Sequence, residues 1–436
     1  MPIGTEYGTR CAGRIPVVGV VSLAALIVVA IAFVAASRMW RPSGTVHHVD
    51  ASRTTSGAGD AWASAFATLD EALRRAAPGD EIWIAAGTYR PDASSGSRDA
   101  KFVIPDGVQL FGGFAGHETK RSERDPEANP TVLSGELGDP DRFDDNAKHV
   151  VAVPRSRGVM LDGLTIERGS SDRFGGGVIV HGAKRFVMRN CVVRDNRAYA
   201  GAGVFNRRSD SVFEDCVFEG NKAIVRGGGI YTVESSPVIA KCRFIGNSSF
   251  EGGSGVYVVG GDPRFVDDAF LANRAEEAGA GVRNVIGSMT MERCLFEGNE
   301  AASGAGYLHD SGLGALRENV FRENIARERG GGMAVTNGFV DLEGCRFLEN
   351  RVESERGVGG GLVNERGEVS LVNGEFRGNE AAAGAMVHVE APGAVTLKDC
   401  ALEPEGTIGP LVGGDGAVAW IDREELDDAA SERDPN

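Results

Sequence analysis

Positive charge is in short supply: Lys plus Arg number 46 against 62 Asp plus Glu, a net charge of −16. So acidic a chain is poorly suited to displacing counterions from a phosphate backbone, so nucleic acid is excluded as its main partner. Cysteine is sparse, seven in 436 residues, and never in a C-x-x-C spacing. That excludes a disulfide-stapled miniature fold and the usual structural zinc arrangement. Aromatic residues make up only 7%. Glycine is the exception, with 62 positions, about twice its usual share. It follows no strict three-residue period, which excludes collagen. A hydrophobic content of 42% supplies a large core and excludes wholesale disorder.

Charge-free apolar stretches are confined to residues 15–37, IPVVGVVSLAALIVVAIAFVAAS. At ~1.5 Å per residue a helix of that length crosses a ~30 Å hydrocarbon layer. Its length favours an uncleaved anchor over a cleaved signal, although Ala35-Ala36-Ser37 suits cleavage. Arg10 and Arg14 precede the run and Arg38 and Arg41 follow it, so orientation is weakly determined. Either reading sends the remainder out of the cytoplasm, as a membrane-anchored or secreted protein.

The dominant feature is a repeat. GGGV at Gly175 recurs as GAGV at Gly201, GGGI at Gly227, GSGV at Gly253, GAGV at Gly279, GAGY at Gly304, GGGM at Gly330 and GGGL at Gly359, with a degenerate copy at Gly384. The steps are 26, 26, 26, 26, 25, 26, 29 and 25 residues. An F-x-x-N mark keeps the same beat, ending at Asn221, Asn247, Asn273, Asn299, Asn324, Asn350 and Asn379, with VRDN at Asn196. Such a period is too short for helix-pair repeats, and each copy alternates apolar residues by two, as short strands do.

Three apolar rows recur per copy. One follows the glycines (Val178, Val204, Ile230, Val256) and a second includes Met188, Phe213, Ile239 and Phe265. The third pairs a cysteine row (Cys191, Cys216, Cys242, Cys294, Cys345, Cys400) with Val193, Phe218, Phe244, Phe270, Phe296, Phe321, Phe347 and Phe376. Three inward rows in about 26 residues describe one coil of a three-sided parallel β-helix, each row stacked at ~4.8 Å. Glycine suits the sharp turns, and the repeated asparagine is expected to adopt the left-handed conformation and bond to its copies above and below. The cysteines read as a buried, inert thiol row. The glycine triplets recur with the repeat and open no helix, so they do not read as phosphate loops.

The regions divide as follows: 1–14 an n-region, 15–37 the anchor or signal, 38–47 a linker, 48–148 an N-terminal cap with the first coils, 149–405 the repeats, and 406–436 an end with an acidic tail. Phe66 to Ala77 reads as an amphipathic capping helix, with Thr68 and Glu71 at capping-box spacing. Segments 81–89 and 102–114 read as strands with turns, and 117–145 as a long polar loop.

With these residues in view, the glycine and F-x-x-N marks resemble the repeats of chlamydial polymorphic outer-membrane proteins. More broadly the chain resembles the pectate-lyase-like, right-handed parallel β-helix superfamily. The stretch from AWASAFATLDEALRRAAPGDEIWIAAGTYRP through FGGFAGHETKRSERDPEANPTVLSGELGD is similar to the N-terminal part of large secreted bacterial β-helix proteins. The resemblance covers about residues 48–400 and implies an all-β, right-handed, single-stranded parallel β-helix with three strands per coil. It implies little about function, because the fold hosts lyases, hydrolases, epimerases and adhesins.

Site residues follow from the coil. The position after the first inward row should face outward, and it holds Phe205, Tyr231 and Tyr257 on successive coils, then Arg283. Three exposed rings ~4.8 Å apart form a candidate ribbon for sugar rings or a protein partner; the plainer alternative is a stacking ladder that stiffens the rod. Asp139, Asp141, Asp144 and Asp145 are candidate Ca²⁺ ligands, without EF-hand spacing; no other cofactor is implied. Asn190, Asp215, Lys241, Asp267, Arg293 and Glu318 alternate in sign and read as a ladder of surface ion pairs. His181 and the His309-Asp310 pair stand apart, and no catalytic residue emerges. The short loops across residues 175–385 favour a surface-displayed or secreted, adhesin-like binding or structural protein, with an extracellular polysaccharide or cell-surface protein as partner. A polysaccharide lyase or glycoside hydrolase is the alternative.

Overall fold

The coil from Lys184 to Arg207 shows how the repeat is laid out. In the computed structural model it contains strands Lys184–Arg189, Val192–Arg194, Arg197–Ala200 and Val204–Arg207, separated by tight turns. The structure describes residues 44–91, 96–403 and 412–421. The apolar run 15–37 and the tail 422–436 lie outside them. Among the described residues no helix is long and apolar enough to cross a membrane.

Equivalent strands of successive coils pair in parallel, giving sheets of 14, 12, 12 and 8 strands. Register is kept from rung to rung: Phe218 lies opposite Phe244, and Phe244 opposite Phe270. The three faces expected from the apolar rows are the three long sheets. In coil order the first, second and third faces hold Lys184–Arg189, Val192–Arg194 and Val204–Arg207; the fourth, eight-stranded ladder, with Arg197–Ala200, runs between the second and third and goes beyond the three expected rows. Its inward positions are small, including Ala198, Ala223, Ala275, Ala301 and Ala326, all buried.

The core is built from like side chains stacked on like. Rings from Phe218 to Phe376 stack nearly parallel, with centroids 4.7–4.9 Å apart. Beside them runs the asparagine ladder, fully buried from Asn196 to Asn379. The amide bonding is as expected, but the left-handed turn belongs to the residue before the asparagine: Asp195, Gly220, Gly246 and Ala272 have φ of 53°, 61°, 59° and 51°. The asparagine itself points inward, where its amide satisfies backbone groups that the turn leaves unpaired.

Glycine is required at the corner into the third face. Gly227 has φ +66°, and a Cβ there would lie 2.7 Å from the Tyr231 Cβ. A Cβ on Gly255 would lie 2.4 Å from the Gly281 carbonyl oxygen and 2.8 Å from the Phe270 ring. Stacked chains approach too closely there for any side chain.

The N-terminal end is covered by helix α1, Leu69–Arg75, which buries Leu69, Ala72 and Leu73. It is shorter than the expected 66–77, and Thr68 makes no side-chain cap to the helix backbone. The Glu71 carboxylate instead accepts from the Ser56 and Thr68 hydroxyls. The expected loop 117–145 contains a 3-10 turn, Arg121–Glu123, and a strand of the second face, Thr131–Ser134. At the other end the strands continue past residue 405, with Val412–Gly414 and Ala417–Ile421 adding a further coil.

Candidate binding face

The row Phe205, Tyr231, Tyr257 and Arg283 is in register as expected, each residue opposite the next. It does not present its faces to solvent: Phe205, Tyr231 and Tyr257 are 5%, 8% and 4% exposed. The physical reason is the corner. After Gly201, Gly227 and Gly253 the chain folds back so tightly that the end of the short ladder lies over the outer side of the third face. Phe174 stacks on Phe205 at 4.6 Å, and Ala200 packs into the same cluster. The Arg226 and Arg283 guanidinium groups lie 5.3 and 5.6 Å from the Tyr257 ring centroid.

Those arginines are engaged. Arg226 is 2.8 Å from Glu251. Arg283 donates Nε to Asp310 at 2.9 Å and a terminal N–H to the Glu251 carbonyl at 2.7 Å. Burial works against the Arg283 charge, but Asp310, Tyr257 and Glu277 together hold the pKa above its ordinary value. Burial raises the Tyr257 pKa, against the pull of both arginines. The sequence-derived ribbon is therefore a covered, cation-roofed aromatic row.

An exposed apolar row sits one strand earlier; Leu313 and Phe339, paired on the 14-stranded sheet, are exposed as well. Tyr199, Ile224 and Phe250 occupy the third residue after the ladder asparagines Asn196, Asn221 and Asn247, on successive rungs. They are 45%, 67% and 52% exposed, and Phe174, 39% exposed, lies at the adjoining corner. Their neighbours Ala198, Ala223 and Ser249 point inward, so strand alternation fixes the large side chains outward. The three expected faces leave this ridge out, because it stands on the fourth ladder. The signal was present as R-A-Y, K-A-I and S-S-F after the repeated asparagine.

Elsewhere the outer faces carry ion pairs between rungs. Arg194 meets Glu167, Arg189 and Arg124 meet Asp162, and Arg346 meets Glu375, at 2.6–2.8 Å. In the row of alternating charge, Arg293 pairs with Asp267 at 2.7 Å. All six members of that row have φ of 49–58°, so it lies at the left-handed turn between the first and second faces.

The acidic loop serves itself. Asp144 binds Arg142 through two bonds of 2.9 and 2.6 Å. Asp139 accepts from the Asp141 N–H, and Asp145 from the Asp139 N–H. Among the described residues no three His, Cys, Asp or Glu side chains converge as a metal site. The four aspartates are thus not gathered around one point. His309 and Asp310 face opposite ways: His309 is buried with Nδ1 2.8 Å from the Tyr307 hydroxyl, and Asp310 faces Arg283. Burial lowers the His309 pKa.

The thiols of Cys191, Cys216, Cys242, Cys294 and Cys345 are free and buried, with Cys400 partly so. Burial raises their pKa, that of Cys345 to about 11. Cysteine is replaced in the row by Asp268, Asn319 and Gly374, of which the first two carry polar side chains. Each of these two accepts the backbone N–H of the preceding rung's cysteine, at 2.7 and 2.8 Å.

A family model described as "Right handed beta helix region" matches residues 141–270. No curated protein matches the sequence. Among solved structures, pectate lyase Pel9A aligns with a TM-score of 0.42 and 12% identity over 87% of this chain and 79% of that one. Tailspike protein 3 of bacteriophage CBA120 aligns with a TM-score of 0.44 and 12% identity, over 80% of this chain and 57% of the tailspike. The Streptococcus pneumoniae surface protein and adhesin PfbA aligns with a TM-score of 0.34 and 8% identity, over 81% of this chain and 94% of PfbA. The chain is a parallel β-helix whose residues 141–270 match the right-handed β-helix model.

Proposed function

We propose that this is an extracytoplasmic binding protein that holds a polysaccharide or protein partner on the outer side of its short ladder. The observation that carries this reading is the ridge of Tyr199, Ile224 and Phe250. Large apolar side chains stand exposed there on three consecutive rungs. A contiguous exposed apolar strip costs solubility and marks interaction surfaces. The apolar run 15–37 supports export, as an anchor or a signal.

A test is retention of the full-length chain, in detergent, on a panel of glycans and on intact cells. Tyr199→Ser with Phe250→Ser should abolish retention without lowering thermal stability. Retention that survives the double substitution contradicts the assignment of the ridge.

A polysaccharide lyase or glycoside hydrolase on the same fold is favoured by one feature. A groove of about 880 Å³ is lined by Glu323, Ile325, Glu349, Arg351, Arg377 and Glu380. It brings carboxylates and guanidinium groups together at the surface. Release of unsaturated or reducing sugars from pectin, alginate or a glycosaminoglycan, lost in Arg377→Ala, would establish that reading.

A further inference from the structure

Resting only on the extracytoplasmic part of the reading above, we infer that an acidic polysaccharide binds a second site, on the corner between the third and first faces. The cations of this site repeat at the same turn of three successive coils: Arg155 and Arg157, Lys184 and Arg185, then Arg207 and Arg208. Strand pairing brings them together. Arg157 bridges to Lys184, Lys184 lies opposite Asp210, and His181 lies opposite Arg207. Arg207 and His181 are half-buried, and the other five cations are exposed. Asp210 is the one acid among residues 154–158, 181–185 and 207–210. Six cations thus face one carboxylate, in a chain whose net charge is −16. The flanking rungs add Asp106, which accepts from the Arg157 backbone N–H, and Glu234, which accepts from the Arg208 side chain. With both counted the cluster remains positive.

Many arginines of the outer faces meet a carboxylate on a neighbouring rung, as Arg194 meets Glu167 and Arg346 meets Glu375. Among the described residues, Arg155, Arg157, Lys184, Arg185 and Arg207 have no carboxylate within ion-pair distance. Arg185 is the extra residue of a β-bulge, at φ 57°, since Lys184 lies opposite Asp210 and Phe186 opposite Ser211. The bulge re-aims the Arg185 side chain and sets it beside Lys184. Gly182 leaves the space that the Arg155 stem crosses; a Cβ there would lie 2.9 Å from the Arg155 Cγ. The Arg207 Nε is shielded from solvent and has no hydrogen-bond partner, which leaves the terminal N–H groups to meet an acceptor.

Unpaired like charges on adjacent strands repel, and a bound polyanion removes that cost. One small anion does not neutralise cations spread over three rungs, so the ligand repeats its negative groups. Guanidinium groups hold carboxylate or sulfate by paired N–H bonds. The cations stand on a tight turn between two sheets, a narrow line that suits a polymer strand better than a flat lipid surface. An extracytoplasmic setting, read from the apolar run 15–37, favours an acidic polysaccharide over nucleic acid as that strand. Remote acids of the chain oppose it little, because charges beyond about 8 Å are largely screened at physiological salt.

The test is affinity electrophoresis of the full-length chain in detergent, through gels containing polygalacturonate, dextran sulfate, dextran or single-stranded DNA. Polygalacturonate and dextran sulfate should retard the chain more than dextran does. That excess should fall by on the order of tenfold between roughly 50 and 200 mM salt, as counterion release requires. Arg155→Ser, Arg157→Ser and Arg185→Ser should each weaken it about fivefold and flatten its salt dependence. All three variants should keep the parent's melting temperature. Tyr199→Ser with Phe250→Ser should leave the excess unchanged. An excess that survives the arginine substitutions, or is lost only with the ridge substitutions, overturns the site. An excess insensitive to salt overturns the choice of an anionic ligand. Tighter binding of DNA through the same arginines overturns the polysaccharide and leaves a polyanion site. No excess in either acidic gel overturns this site and leaves the ridge to its own test.

Discussion

The Nδ2 of Asn247 donates to the Oδ1 of Asn273 at 3.0 Å, and the backbone N–H of Asn247 donates to the same oxygen at 3.0 Å. Asn247 also donates to the Phe218 carbonyl one rung back, at 2.9 Å. Each asparagine from Asn196 to Asn350 thus ties three coils together, and each sits in a wholly buried position where no water can substitute.

Removing one member leaves several buried groups without partners. Asn273→Ala strips the acceptor from two Asn247 donors and the donor from the Phe244 carbonyl. The expected cost is about 3 kcal/mol, read as a lower denaturant midpoint at unchanged slope. Asn273→Asp keeps the acceptor but loses the donor and buries a charge. It should be at least as damaging at neutral pH and recover in part on acidification.

The covered aromatic row should behave as core. Tyr231→Ser and Tyr257→Ser are each expected to lower stability by about 3 kcal/mol, as buried large-to-small changes do. Ridge substitutions at Tyr199 and Phe250 should lower it by less than about 0.5 kcal/mol. Thermal melts of the four variants compare the two rows directly.

How much of this was legible in the sequence depends on which side of the wall a residue occupies. Inward rows repeat residue identity, because stacking rewards like on like: Phe244 on Phe270, Asn247 on Asn273 and the cysteines on one another were readable from spacing alone. Outward positions carry no such constraint. Phe205, Tyr231 and Tyr257 were placed on the correct strands, but their cover by Phe174 and Arg226 depends on how tightly the chain bends at Gly201 and Gly227. Bend angle leaves little trace in a residue pattern. The left-handed turn was placed one residue late for a related reason. Asn is the usual sign of that conformation, whereas here its amide is needed inside and Asp195 or Ala272 takes the turn.

The thiol row should be silent toward alkylation in the native state. Cys400, partly exposed at the C-terminal end, is expected to label first among the described cysteines. Cys191, Cys216, Cys242, Cys294 and Cys345 should label only on unfolding, even at alkaline pH, because burial raises their pKa. Peptide mapping after timed iodoacetamide exposure reads this order. Rapid native labelling of several of the five would contradict it.

Asp268 makes folding stability pH-dependent. Burial raises its pKa well above the ordinary 3.8, so the folded state holds a proton that the unfolded chain releases. Its protonated form gives its full contribution below about pH 3.8, and the contribution falls as pH rises toward the elevated folded value, by up to about 1.4 kcal/mol per pH unit. Asp268→Asn removes the ionisable group but gives up one of the two oxygens that accept from the Cys242 and Val266 N–H groups; it should flatten the profile above pH 4. Denaturation midpoints across pH 4 to 7 for the two proteins would show it. Parallel profiles would contradict it.

The most direct test of the stacked coil is a distance. Ile224 and Glu353 lie in one outward row of the short ladder, five rungs apart by the strand register. Spin labels at these two positions, 129 residues apart in the chain, should give a narrow dipolar distribution centred near about 24 Å. A broad distribution, or a centre far from that value, would contradict the winding on which the ridge and the buried rows depend.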